Sequence, residues 1–174
     1  MIVVKKIPPK DRNPLAQLYF AFPMLVWMGI IFLFSTRAGS VDQTYYLAKK
    51  ALSLFDPGEA LSASPAALAK VNFLVRKMAH VTEYFLLTLF CVRALKRRSK
   101  NLFILLLLSA VIAVIYAVSD EFHQSFVAGR TSSLHDVVID SYGVLLAFLL
   151  TVWLQAVHSL DRRITGKTPQ KEIH

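Results

Sequence analysis

The chain is poor in cysteine, in charge and in acidic residues, and each shortage excludes something. Cys91 is its only cysteine and sits inside an apolar run, so neither an intrachain disulfide nor a cysteine-based zinc site can form. Charged residues make up 18% of the chain, below the roughly 25% of soluble domains, so there is too little charge to cover an ordinary water-facing surface. Acidic residues number 11 against 20 Lys and Arg, an excess that elsewhere suggests nucleic acid. Here the bases lie in patches between apolar runs instead of along one solvated face, so no nucleic-acid partner is expected and the charge reads as membrane topology. No internal repeat or low-complexity tract is present, and neither H-E-x-x-H nor a Ser-Gly-His element occurs.

What is abundant is apolar surface, 55% of 174 residues, which is too much for one soluble domain of this length. Four runs are long and apolar enough to cross roughly 30 Å of hydrocarbon as helices. They are Leu18–Ser35, His80–Leu95, Leu102–Val118 and Val137–Leu154. The expected fold is therefore all-α, a membrane-embedded four-helix bundle. The polar start "MIVVKKIPPKDRNP" enters the first run without an A-x-A-type exit, so that run is expected to be a retained span. Residues 1–17 then form a cytoplasmic N-terminal segment, 18–155 the transmembrane domain and 156–174 a cytoplasmic, disordered or surface-bound tail.

Basic residues set the orientation. Lys5, Lys6, Lys10 and Arg12 precede the first span; Arg93, Lys96, Arg97, Arg98 and Lys100 join the second and third; Arg162, Arg163, Lys167 and Lys171 follow the fourth. These three patches belong on the cytoplasmic side, so the loops Thr36–Arg76 and Ser119–Asp136 face outward. In the first outer loop Val41, Tyr45, Ala48, Leu52 and Phe55 recur at helical spacing. This is the pattern of a short amphipathic helix lying on the outer leaflet or packing on the bundle as a lid. After "DPGEALSASP" breaks the chain, Ser64 can cap a helix that begins at Pro65 and runs through the second span.

Ionisable residues gather at the outward end. On the second helix Arg76, His80 and Glu83 are four and three residues apart, with Lys77 and Tyr84 flanking them. If the third helix continues past Val118, Tyr116, Asp120, His123 and Gln124 share a face and Glu121 points to another. Ser133-x-x-Asp136 fits a capping box opening the fourth helix. Asp140 lies a turn further on, on the face of Gly143, whose missing side chain permits close helix approach. Arg130, just before that helix, is placed to hold a phosphate or carboxylate near its N-terminus. Ionisable groups within spans are costly and normally face a bundle interior or a water-filled cavity, so their convergence marks a site.

The stretches "RKMAHVTEYFLL" and "SDEFHQSFVAGRTSSLHDVVIDSYG", set among four spans, resemble the VanZ-like family, membrane proteins named for a teicoplanin-resistance factor. The resemblance covers about Phe32 to Leu154. It marks Lys77, His80, Glu83, Tyr84, Asp120, Glu121, His123, Gln124, Arg130, Asp136 and Gly143. Ala128 departs from the proline common before "GR". The resemblance implies a bacterial inner-membrane envelope protein that lowers sensitivity to lipid-bearing glycopeptides, and it supplies no reaction.

Two divisions of labour fit these residues. In a site for membrane lipids or a lipid-linked envelope intermediate, Arg76, Lys77 and Arg130 clamp phosphate, with Tyr84, Glu121 and Gln124 beside them. In its catalytic form His80, Glu83, Asp120, His123, Asp136 and Asp140 supply acid, base or nucleophile for hydrolysis or transfer at a phosphate ester. In a scaffold, the same groups are buried structural pairs. His80, Glu83, Asp120, Glu121 and His123 also offer metal-ligand atoms. Nearby Arg and Lys oppose a cation, however, so no metal site is assigned and no cofactor is specified. A transporter is disfavoured because the ionisable residues occupy one end only.

Overall fold

The computed structural model describes residues 13–38, 64–99, 101–127 and 133–165, with residues 46, 49, 50, 53, 54 and 58 between them. Its long elements are α1 (Pro14–Leu33), followed by a π-helical turn (Phe34–Ala38), α2 (Pro65–Leu95), α3 (Leu102–Gln124) and α4 (Leu134–Thr165). The expected helix over Val41–Phe55 lies largely outside the described residues. All four helices are long and apolar enough to cross a membrane, which makes this a multi-span membrane protein, and no strand occurs among the described residues.

Local chemistry explains the helix starts. Asn13 caps α1 by accepting from the Leu15 N–H at 3.0 Å, Ser64 caps α2 through Ala67 at 3.3 Å, and Asn101 caps α3 through Ile104 at 3.2 Å. Pro14 and Pro65 occupy first-turn positions, where no N–H is needed. Two helices outrun the apolar segments that announce them. α3 carries on past Val118 to Gln124, and α4 reaches Thr165, so residues 156–165 at the start of the C-terminal segment are helical. A perpendicular span of the hydrocarbon needs about 20 helical residues, and α2 with 31 and α4 with 32 exceed that length.

The outer surface of the bundle carries large apolar side chains, among them Phe22, Phe103, Ile115 and Trp153. In lipid these lose nothing by exposure, so small residues and polar contacts decide which faces turn inward. On α3 the buried Ser109, Ala113 and Ala117 recur every four residues, and on α4 the buried Gly143 and Ala147 do the same. α2 presents Tyr84, Leu87, Thr88 and Cys91, packs against each of the other three helices, and meets α4 most extensively.

Polar contacts tie α1 to the rest. Trp27 Nε1 donates to the Glu83 carbonyl at 2.9 Å, and Tyr116 Oη donates to the Met28 carbonyl at 2.6 Å. Tyr116→Phe keeps the ring and removes only the second bond. The expected cost is about 0.6 kcal/mol, the average for an interhelical hydrogen bond in lipid, seen as a small fall in the melting midpoint in detergent.

Candidate functional site

One end of the bundle collects polar residues from every helix. The π-helical turn after α1 presents Ser35, which is 4% exposed and donates through Oγ to Asp120 Oδ1. Asp120 Oδ2 accepts from Gln124 Nε2 at 2.8 Å, and the same amide lies 3.3 Å from Ser35 Oγ. A π turn shifts the angular position of the residues within it, and here it carries the hydroxyl toward α3. Ser35 is the site residue that sequence reading misses. Its one signal is a hydroxyl at the C-terminal end of an otherwise apolar span.

α2, α3 and α4 meet in a second set. His80 Nδ1 lies 3.2 Å from Asp140 Oδ1, an ion-pair distance without hydrogen-bond alignment, and Asp140 is fully buried. Neither Asp140 oxygen has a hydrogen-bond partner, and neither does Tyr84 Oη. One nitrogen of His80 and one oxygen each of Glu121 and Asp140 lie within 4.8 Å of one another. Glu83 and Asp120 are within electrostatic reach of His80, and Asp136 is within reach of both Glu121 and Asp140.

Glu121 keeps the separate face that the helical wheel gives it. Placed off the Asp120 face by its angle, it is still only 4% exposed. α3 is flanked on both sides, so two residues about 100° apart can both turn inward: Asp120 toward the end of α1 and Glu121 toward the start of α4. Glu121 Oε2 accepts the Ser133 N–H at 3.0 Å, which changes the capping box as well. Ser133 Oγ accepts from His135 N at 3.1 Å, but the return bond to the Ser133 N–H comes from Glu121 across the helix pair. Asp136 is thereby free to pair with Lys77, whose ammonium also lies 5.2 Å from the Phe73 ring centroid.

The remaining expected residues divide. Arg76 is half-buried and makes no ion pair among the described residues. The His123 ring lies against Phe32, with centroids 4.6 Å apart, and its Nε2 has no hydrogen-bond partner. Glu83 is half-buried one turn beyond His80. His135 turns outward. Ala128, Gly129 and Arg130 lie outside the described residues. Gly143 sits against α2, where an added Cβ would fall on the Val81 carbonyl oxygen and 2.9 Å from the Phe85 nitrogen. A cavity of about 980 Å³, lined by Pro14, Gln17, Leu95, Arg97 and Arg98 among others, opens at the opposite end and contains none of this cluster.

Chemically, the cluster offers one imidazole and several carboxylates in a place shielded from water, with the nearest lysine already engaged by Asp136. Such a set suits proton transfer or cation coordination better than a simple anion clamp. No curated protein and no solved structure matches the chain. The VanZ/LLP1 family model matches residues 20–155, a stretch that contains every member of the cluster, and the chain belongs to that family.

Proposed function

We propose that this protein is a bacterial inner-membrane envelope protein whose polar cluster binds and modifies the head group of an anionic lipid or lipid-linked envelope component, by hydrolysis or transfer at a phosphate ester. The observation that carries the reading is the burial of Asp120, Glu121, Gln124 and Asp140 with His80 at one end of four membrane-length helices. Ionisable groups there cost free energy that a purely structural bundle can avoid by using apolar residues.

His80 and the carboxylates around it form the reactive end, while Arg76 and Arg130 draw in the anionic group. Orientation follows the basic patches: Arg93, Lys96, Arg97 and Arg98 lie toward the far end of α2, so the cluster faces outward when they face the cytoplasm. The implied consequence is protection against teicoplanin. A sensitive bacterium expressing the intact chain is expected to tolerate more teicoplanin than the empty host, while His80→Gln and Arg130→Ala at matched membrane levels fall back to the host's value. If the intact chain and both variants behave alike, the lipid-site reading fails.

A scaffold is the second reading. It is favoured by the number of site groups that serve as helix-to-helix ties, namely Lys77 with Asp136, Ser35 with Asp120, and Glu121 with the Ser133 N–H.

A further inference from the structure

We propose that His80, Glu121 and Asp140 bind a divalent transition-metal cation of the Zn²⁺ or Mn²⁺ class between α2, α3 and α4. The inference goes beyond the lipid reading and stands without it, since a cation would serve a scaffold as well as a reaction.

Two independent observations support it. The first is geometric: three ligand atoms of suitable type lie within 4.8 Å of one another, and the His80–Asp140 separation is 3.2 Å. Ligands bound at 2.0–2.2 Å in a tetrahedron sit roughly 3.3 Å apart, so that edge is already in place. The widest edge has to close by at most about 1.5 Å, within reach of a side-chain adjustment. The second is the unmet valence of the ligands. Asp140 is wholly buried, its Oδ1 meeting the His80 nitrogen and its Oδ2 lacking any partner, and Glu121, 4% exposed, has an unpartnered Oε1. Its other oxygen is held by the Ser133 N–H, the kind of outer contact that fixes a ligating carboxylate.

Charge decides between a cation and an empty polar pocket. Asp120 lies within electrostatic reach of Asp140, adding to the two ligand carboxylates, and the lysine expected to oppose a cation is neutralised against Asp136. One imidazole cannot offset that much negative charge where water is excluded, and a dication can. One nitrogen and two oxygens without thiolate match Zn²⁺ or Mn²⁺ better than Ca²⁺, which takes six to eight oxygens. Three protein ligands leave a position for water or substrate, and the buried Tyr84 hydroxyl, lacking a partner, is within electrostatic reach of Asp140.

The test is metal analysis of the full chain, purified in detergent with any affinity tag removed, stripped by chelator and then titrated separately with ZnCl₂ and MnCl₂. About one equivalent of at least one ion per chain is expected, with affinity falling about tenfold or more in Glu121→Gln and Asp140→Asn. His158→Ala, on the exposed far part of α4, should bind as the intact chain does. A Co²⁺-loaded intact protein should show tetrahedral bands of nitrogen and oxygen ligation, a readout that does not depend on the variants folding. Absence of stoichiometric binding by the intact chain, undiminished binding in either folded ligand variant, or a thiolate-to-cobalt band from Cys91 would each overturn the proposal.

Discussion

Gly143→Ala is expected to destabilise the bundle strongly, and far more than the same change at Gly29. The new Cβ would overlap the Val81 carbonyl oxygen and sit 2.9 Å from the Phe85 nitrogen, and both atoms are backbone. A flexible side chain could swing aside, but backbone yields only if α2 and α4 move apart along their whole contact, the most extensive in the fold. Overpacking costs about 1–3 kcal/mol when side chains can adjust; with backbone on one side, the upper end, about 3 kcal/mol or more, is expected. Melting in detergent and yield of monodisperse protein would measure it. Gly29→Ala is the control, because nothing lies within 4 Å of a Cβ there. It should hold or raise the midpoint, since alanine exceeds glycine in helices by about 0.5–1 kcal/mol. Equal melting of the two variants would mean that α2 and α4 do not pack as described.

The second large effect belongs to Lys77 and Asp136. Lys77→Ala leaves the Asp136 carboxylate near Glu121 and Asp140 without its counter-charge. Removing one member of a fully buried pair costs about 3–5 kcal/mol. These side chains keep 22% and 15% of their exposure, so screening lowers the expectation to about 2 kcal/mol. The exchanged pair, Lys77→Asp with Asp136→Lys, should recover stability, with a coupling of at least about 1 kcal/mol in a double-mutant cycle. Recovery should be incomplete, because Asp136 in the first turn of α4 also complements the helix dipole and a lysine there opposes it. The same pair separates the two functional readings. If the exchanged protein regains both stability and teicoplanin protection, the contact is a strut and the scaffold reading gains. If it regains stability alone, the orientation of the charges matters to a bound group, as a lipid site requires.

Much of this molecule is legible in its linear sequence because lipid makes the rules simple. Backbone groups must be satisfied within each span, so four long apolar runs become four helices. The caps at Ser64 and Pro65, the close approach at Gly143 and the membership of Asp120, His80 and Asp140 in one polar end all follow from spacing and chemistry along single helices. Partner choice does not. A helical wheel gives the angle of a residue on its own helix and is silent about what stands opposite, which is why it separates Glu121 from the Asp120 face without showing that Glu121 turns to the start of α4 and is buried there. Asp136 reads as a capping acid for the same reason, yet it pairs with Lys77 while Glu121 does the capping. Ser35 shows no ionisable signal at all and becomes a site residue only when a π turn brings it to Asp120. The sequence by itself thus determined the elements, the membrane setting and the cast of polar residues; the tertiary structure decided which of them meet, because contact depends on the relative placement of several helices at once.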